Sequence, residues 1–425
     1  MLDGIGAPAQ IFMGVELDGR LAPAVLQRAA NALIGDYPKL NTRAERRLLG
    51  YRRVPADGSG LDDLVILSRT ESEVLQKRLN LRGSRGIQWS CINRDDGRSL
   101  LLMTIHHSVC DGTSALVALE RFSVHYAYFT GKKSMPDAVA GDMPHRYRDY
   151  FRRMPAREQL SIMVRACIRT IRLAAGFAVS EACATFTDMP LPCTGELRKR
   201  IIAIPTSDVH CLMRWAVRRR ATVADALLAA AVVSGVSTWP QNEENPVAIN
   251  LPLGGTSDAG LANRMMSSWV RIPLNRCKSF PGVLQTVAEQ TAPARRSAAG
   301  IRETLVENAA LSFLPPIVFD RMARSYFAQR TNTRETMTLS VLGGPLDPPM
   351  MEFGNLKVLD VFTAGSVLAP PGLRLGIVAA PGKLNLCISY LYPVISETSM
   401  DRFVDGIRSA LAETGIGRAA AEAFV

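Results

Sequence analysis

Residues 87–107, IQWSCINRDDGRSLLLMTIHH, constrain the chain more than any other stretch. Two apolar runs flank Asp95-Asp96-Gly97, the turn chemistry of a tight β-hairpin. The second run, Arg98–Ile105, ends on two adjacent histidines, although the whole chain holds only five. Asp111 and Gly112 follow, so the stretch closes as His106-His107-Ser108-Val109-Cys110-Asp111-Gly112. The pattern therefore predicts a buried strand that delivers a histidine pair to a sharp turn.

The surrounding sequence predicts what that hairpin packs against. PAVLQRAANALIG repeats apolar residues at helical spacing, opens on Pro23 and stops near Gly35 and Pro38. GTSALVALERFSVHYAYFTG, directly after the histidines, predicts an amphipathic helix capped by Thr113 or Ser114, with His125 as a core or flanking residue. Pro190, Pro192 and Gly195 mark a linker. Beyond it the alternation restarts: a strand in LRKRIIAIP, a helix in SDVHCLMRWAVRRR capped by Ser207 or Asp208, and a buried helix in ALLAAAVVSGVSTW. Strands at ENPVAINLPLGG, SSWVRIPL, ETMTLSVLGG, LKVLDVFTAG and LRLGIVAAPGKLNLCISYLYP follow, with helices at FPGVLQTVAEQTAPARRSAA, FLPPIVFDRMARSYFAQR and SMDRFVDGIRSALAE. Strands interleaved with helices on both sides of a linker predict an α/β (α+β) protein of two similar halves, residues 1–185 and 186–425.

What chemistry can the histidine turn do? A metal reading pairs His107 with Asp111, four residues apart, but no second ligand cluster or H-E-x-x-H pattern accompanies them. A neutral imidazole titrates near 6.5, close to working pH, so it can take a proton from an attacking hydroxyl or amine. The turn would aim it. Gly112 supplies backbone freedom, and Asp111 a carboxylate able to brace the loop. Neither a G-x-S-x-G elbow nor a phosphate-cradling P-loop occurs.

Bulk properties bound the rest. With 425 residues, 47% hydrophobic and 21% charged, the chain has the composition of a globular protein. No stretch reaches the roughly 18 apolar residues of a membrane span, and the N-terminus lacks the pattern of a secretory signal. The eight cysteines are scattered without C-x-x-C spacing, which points to a reducing, cytoplasmic setting. The net charge of +11, carried mostly by arginine, suits an anionic partner. Only 6% aromatic residues and no zinc-finger or RNP-like spacing argue against nucleic acid. Residues 151–172 are apolar and arginine-rich. They read either as a packed helix with snorkelling arginines or as a peripheral membrane contact.

His106-His107-Ser108-Val109-Cys110-Asp111-Gly112 matches H-H-x-x-x-D-G in full. It resembles the condensation-domain superfamily of CoA- and carrier-protein-dependent acyltransferases. That group includes peptide-synthetase condensation domains, plant alcohol acyltransferases, polyketide-associated acyltransferases of mycobacteria, and wax ester/diacylglycerol synthases. VELDGRLAPAVLQRAANALIGDYPKL is similar to the family's opening strand, helix and turn. TVADALLAAAVVSGV, INLPLGGTSDAGLANRMMSSWVRIPL and TLSVLGGPL are similar to later segments of the wax ester synthase branch. The D-F-G-W-G motif of the plant branch is missing, and Val341 stands where the wax ester synthases carry asparagine.

The resemblance implies two chloramphenicol-acetyltransferase-like halves with a central tunnel. It implies His107 as general base, His106 as packing histidine, Asp111 as loop brace, and Gly112 as the small residue that makes room. It suggests Ser340 as oxyanion donor and Asn263 as a second substrate-binding position. The implied activity is acyl transfer from a CoA or acyl-carrier-protein thioester to a hydroxyl or amine, by a monomer, with the thioester as co-substrate and no cofactor. An amide-forming, condensation-like enzyme of natural-product assembly and a catalytically silent binding protein are the alternatives.

Overall fold

The computed structural model describes residues 10–46, 51–56, 64–79, 85–137, 151–152, 154–174, 183–189, 195–239, 241, 244–253, 261, 266–296, 306, 335–365, 367 and 372–416. In chain order the elements are β1 (Gln10–Leu17), α1 (Pro23–Asp36), β2 (Thr42–Arg46), β3 (Tyr51–Pro55), β4 (Val65–Leu67), α2 (Glu71–Gln76), β5 (Ile87–Asn93), β6 (Ser99–His106), α3 (Gly112–Phe129) and α4 (Ala156–Ala174). The second half continues with β7 (Glu196–Pro205), α5 (Thr206–Val217), α6 (Val223–Thr238), β8 (Val247–Leu253), β9 (Met266–Ile272), α7 (Phe280–Arg296), β10 (Met337–Leu342), β11 (Val358–Gly365), β12 (Leu373–Ala380), β13 (Lys383–Tyr392) and α8 (Glu397–Ala412). The helix expected in FLPPIVFDRMARSYFAQR lies outside the described residues.

The hairpin forms as its turn dictates. Gly97 takes φ +84°, and β5 pairs β6 from Asn93↔Ser99 up to Ile87↔Ile105. All of β6 is buried, because both of its faces are covered. One face receives α1 and α3, whose Leu26, Ala29, Leu33, Ala115, Leu119 and Phe122 join Trp89 and Met103 in one core. Trp89 and Phe122 stack with ring centroids 3.7 Å apart.

The second half builds a six-stranded sheet, β7-β13-β12-β10-β8-β9. On one face Leu339, Leu373, Leu375, Ile377 and Leu386 pack against α6 and α8. Helix α6 is buried apolar surface over almost its whole circumference, as its sequence requires. Thr222 and Asp225 close its N-terminus as a capping box. Helix α5, in contrast, begins on Pro205 with no side-chain cap, so neither Ser207 nor Asp208 plays that part.

The two sheets are not made from separate lengths of chain. The first sheet runs β11-β1-β6-β5-β4, so a strand from residues 358–365 lies beside the N-terminal strand, antiparallel, from Ile11↔Gly365 to Leu17↔Val358. The segment leading to β11 lies along α3: Phe353 is buried near Phe122 and Tyr126, and the Glu352 amide donates to Ser123 Oγ at 2.9 Å. On its other side β11 is joined to the second sheet by side chains. The Thr363 amide donates to Cys387 Sγ at 3.5 Å and the Gly365 amide to Ser389 Oγ at 3.2 Å. Asn385 Nδ2 donates to the Val361 carbonyl at 2.7 Å. An edge strand's exposed main-chain groups are thereby satisfied by the neighbouring sheet. A second tie joins α2 to β7, where the Gln76 side-chain amide donates to the Leu197 carbonyl (3.0 Å) and accepts from its N–H (3.2 Å).

Gly14 sits opposite Phe362 in the β1–β11 ladder, and a Cβ there would fall 2.2 Å from the Phe362 ring. Lys199 Nζ lies 3.8 Å from the centroid of that ring. Gly14→Val is expected to push the ring away and cost about 1–3 kcal/mol, the usual penalty of overpacking. A drop in chemical-denaturation midpoint at unchanged m-value reports it.

Candidate active site

The site begins where β6 runs out. The His106 amide still pairs with the Gly86 carbonyl at 2.8 Å, and its own carbonyl accepts the Val109 amide at 2.8 Å, closing a tight turn over His107 and Ser108. Asp111 ends the turn. Its Oδ1 accepts the Ser114 amide at 2.8 Å, which makes Asp111 the N-cap of α3. The cap expected at Thr113 or Ser114 is thus one turn position earlier: Ser114 is the capped amide. The carboxylate braces the loop by holding the start of the helix.

Within the turn the two histidines have different surroundings. His106 is buried, and its Nδ1 accepts the Ser108 amide at 3.1 Å and lies 2.8 Å from Ser108 Oγ. These contacts with Ser108 hold the His106 ring within the turn. His107 is half-buried, and its ring hydrogen-bonds its own main chain. Burial, assisted by the positive charge of Arg374, lowers the His107 pKa from 6.5 to about 4. At neutral pH the ring is an uncharged proton acceptor.

Gly112 is the first residue of α3, and its φ is not positive. The backbone freedom expected of it is therefore not what the fold uses. Space is the reason instead: a Cβ would come 2.5 Å from Leu342 Cδ2, on the strand β10 of the other half. The closeness of this approach brings Ser340 to the junction. Ser340, Leu342, Arg374 and Gly376 share the face of the second sheet turned away from α6 and α8. With Ile11, Gly112, Thr363, Gly365 and Ser389 they line a recess between the sheets. The recess therefore gathers Gly112 and Ser340, 228 residues apart in sequence. Asn263 lies outside the described residues.

One charged residue of this site has no counterpart in the motif. Arg374 is half-buried, and its Nη2 donates to Ser340 Oγ at 3.0 Å. Its guanidinium lies against the Gly365 backbone, where a Cβ would come 2.3 Å from Nη1. Burial disfavours its charge and Glu335 opposes that effect. Glu335 itself is raised by burial to about 7, against a hydrogen bond from Asn250 and the field of Arg374. Arg374 donates to the Ser340 hydroxyl, so the hydroxyl proton points elsewhere, and its charge adds to burial in keeping His107 uncharged. The signal in the sequence is a single arginine inside the apolar strand LRLGIVAA.

With this geometry in hand, the chain can be set beside known proteins. No family model matches it, and no curated protein matches it. Its architecture is the condensation-domain fold, an α/β structure of two chloramphenicol-acetyltransferase-like halves. The first condensation domain of the calcium-dependent antibiotic synthetase, in complex with a substrate analogue, superposes with a TM-score of 0.65. It is 19% identical, over 97% of this chain and 92% of that one. SgcC5 from Streptomyces globisporus gives 0.61 at 15% identity over 96% and 94%. A variant starter condensation domain of rhizomide synthetase, in complex with C8-CoA, gives 0.62 at 13% identity over 97% and 92%.

A His107 that serves as base works only when neutral, so activity that rests on it is expected to be flat from neutral pH downward and to fall as pH drops through about 4, not 6.5. Arg374→Met removes one cause of that depression, so its acid limb is expected to move upward. A pH profile of kcat/KM for both proteins checks this. The same substitution leaves Glu335 buried without its compensating charge, and Glu335→Gln on the Arg374→Met background is expected to recover part of the lost stability.

Proposed function

We propose that the protein is an acyltransferase that moves an acyl group from a thioester directly to a hydroxyl or amine acceptor. The observation that carries this reading is an uncharged, half-buried His107 in the turn that leads to Gly112, which packs against the strand bearing the Arg374-bonded Ser340. The His107 imidazole takes the proton of the acceptor O–H or N–H as the heteroatom attacks the thioester carbonyl carbon. The new C–O or C–N bond forms and the carbonyl oxygen becomes an oxyanion. The Ser340 hydroxyl, which accepts from Arg374 and so has its own proton free to donate, stabilises that oxyanion. Collapse breaks the C–S bond, and the imidazolium returns its proton to the thiolate.

The roles of the halves follow from this reading. Residues 1–185 carry the base and residues 186–425 the oxyanion donor, with His106 packing behind the base and Asp111 and Gly112 seating it. The chain needs no cofactor in this scheme, since the thioester of CoA or of an acyl carrier protein is the activated substrate. The positive net charge favours both of those anionic donors. An amide product, from an amine acceptor, is the second reading, and it is supported by the fold shared with domains of peptide synthetases.

Mass spectrometry of free CoA, released from acetyl-, medium- and long-chain acyl-CoA in the presence of pooled alcohols and amines, tests the proposal. Release that depends on an acceptor is expected, with His107→Ala reducing it about 10²–10⁴-fold and Ser340→Ala about 10²–10³-fold. Equal release by the parent and His107→Ala would remove His107 as base.

A further inference from the structure

Helix α4 spans 19 residues, about 29 Å at the helical rise. Among the described residues it is seated by one face. Ile162 and Ala166 are buried against Phe151, Met154 and Val306, and the Gln159 side chain donates to the Met154 carbonyl at 2.9 Å. The other side carries Leu160, Val164, Ile168 and Ile171, which are 65%, 49%, 47% and 67% exposed. These positions are spaced by four, four and three residues, so they fall on a single stripe along the helix. A run of four aliphatic side chains left in water is costly, since burial would remove their apolar surface from water. Scattered exposed leucines are ordinary on a protein surface, but an ordered stripe on one helix is not.

The charge around the stripe selects what covers it. Arg157 and Arg165 are exposed beside it, and Arg169 and Arg172 follow in the same helix, whereas Glu158 is its one acidic residue. The aliphatic residues lack aromatic or hydrogen-bonding anchors of the kind that make specific protein hot spots. Aliphatic residues on one side with arginines alongside are instead the composition of a helix lying in a bilayer interface. There the apolar side reaches the acyl boundary and the guanidinium groups meet phosphate.

We infer that the exposed face of α4 docks the protein on the surface of an anionic phospholipid bilayer. No helix among the described residues is long and apolar enough to cross a membrane, so the contact is peripheral. This inference does not rest on the role given to His107.

Vesicle flotation of the full chain tests it, with phosphatidylcholine alone and with about one-third phosphatidylglycerol added. At least tenfold stronger binding to the anionic vesicles is expected. Raising salt from about 0.1 to about 1 M shortens the screening length from roughly 10 to 3 Å and is expected to weaken binding. Val164→Ser with Ile168→Ser is expected to reduce binding at least tenfold, and Arg157→Glu severalfold. All of these residues are exposed, so the variants should unfold at the parent's temperature, which a thermal melt verifies. Flotation with neither vesicle overturns the proposal, as does undiminished flotation of the double serine variant. Capture of an acidic acyl carrier protein that the double variant abolishes, without flotation, also overturns it and reassigns the face to a protein partner.

Discussion

The architecture depends on how one strand is satisfied along both edges. β11 leaves the second half, crosses α3 and completes the first sheet beside β1. An edge strand in that place would expose a row of main-chain donors. Here the Thr363 and Gly365 amides find Cys387 Sγ and Ser389 Oγ on β13, and Asn385 reaches the Val361 carbonyl. The two sheets are therefore joined through hydrogen bonds that neither could make alone. A shift of β11 by one residue would exchange the faces of Thr363 and Phe362 and lose these bonds together. The junction, and the recess within it, inherits its dimensions from that registration.

Small residues let the junction close. Gly112 meets Leu342, Gly365 meets the Arg374 guanidinium, and Gly376 meets Thr363, each at a distance that leaves no room for a Cβ. Their spacing in sequence is unrelated; their spacing in the fold is one layer. The result places a histidine-bearing turn from one half near a serine and an arginine from the other.

Electrostatics in that layer follow from burial. Burial of the His107 ring, and after it the charge of Arg374, make a positive charge there costly, so His107 keeps its lone pair at pH values where a free imidazole would be protonated. Glu335 and Asn250 make the half-buried guanidinium tolerable, and Glu335 is itself held near neutrality by its surroundings. The hydrogen bond to Ser340 gives the same arginine a directional task. A single half-buried guanidinium thus bonds the Ser340 hydroxyl and acts by its charge on His107.

Local chemistry determined a large share of this protein from sequence. The Asp95-Asp96-Gly97 turn, the buried strand behind it, the histidine turn, and the buried character of α6 all follow from residue spacing and turn propensity, which act within a few residues. Position-by-position reading was less successful where two local solutions compete. The cap of α3 is Asp111 rather than Thr113 or Ser114, because the side chain that ends the turn reaches the helix first. Gly112 was legible as a residue giving backbone freedom and, through the resemblance, as one that makes room; the structure uses the room, against Leu342, 230 residues away. Arg374 was marked only as an arginine inside an apolar strand, and the passage of β11 into the other half was not legible. Strand periodicity tells which residues face the same side but not which strand lies next to it, and the field at His107 comes from a residue 267 positions later. Those are decided by tertiary structure, because register and charge proximity exist only once the two sheets have met.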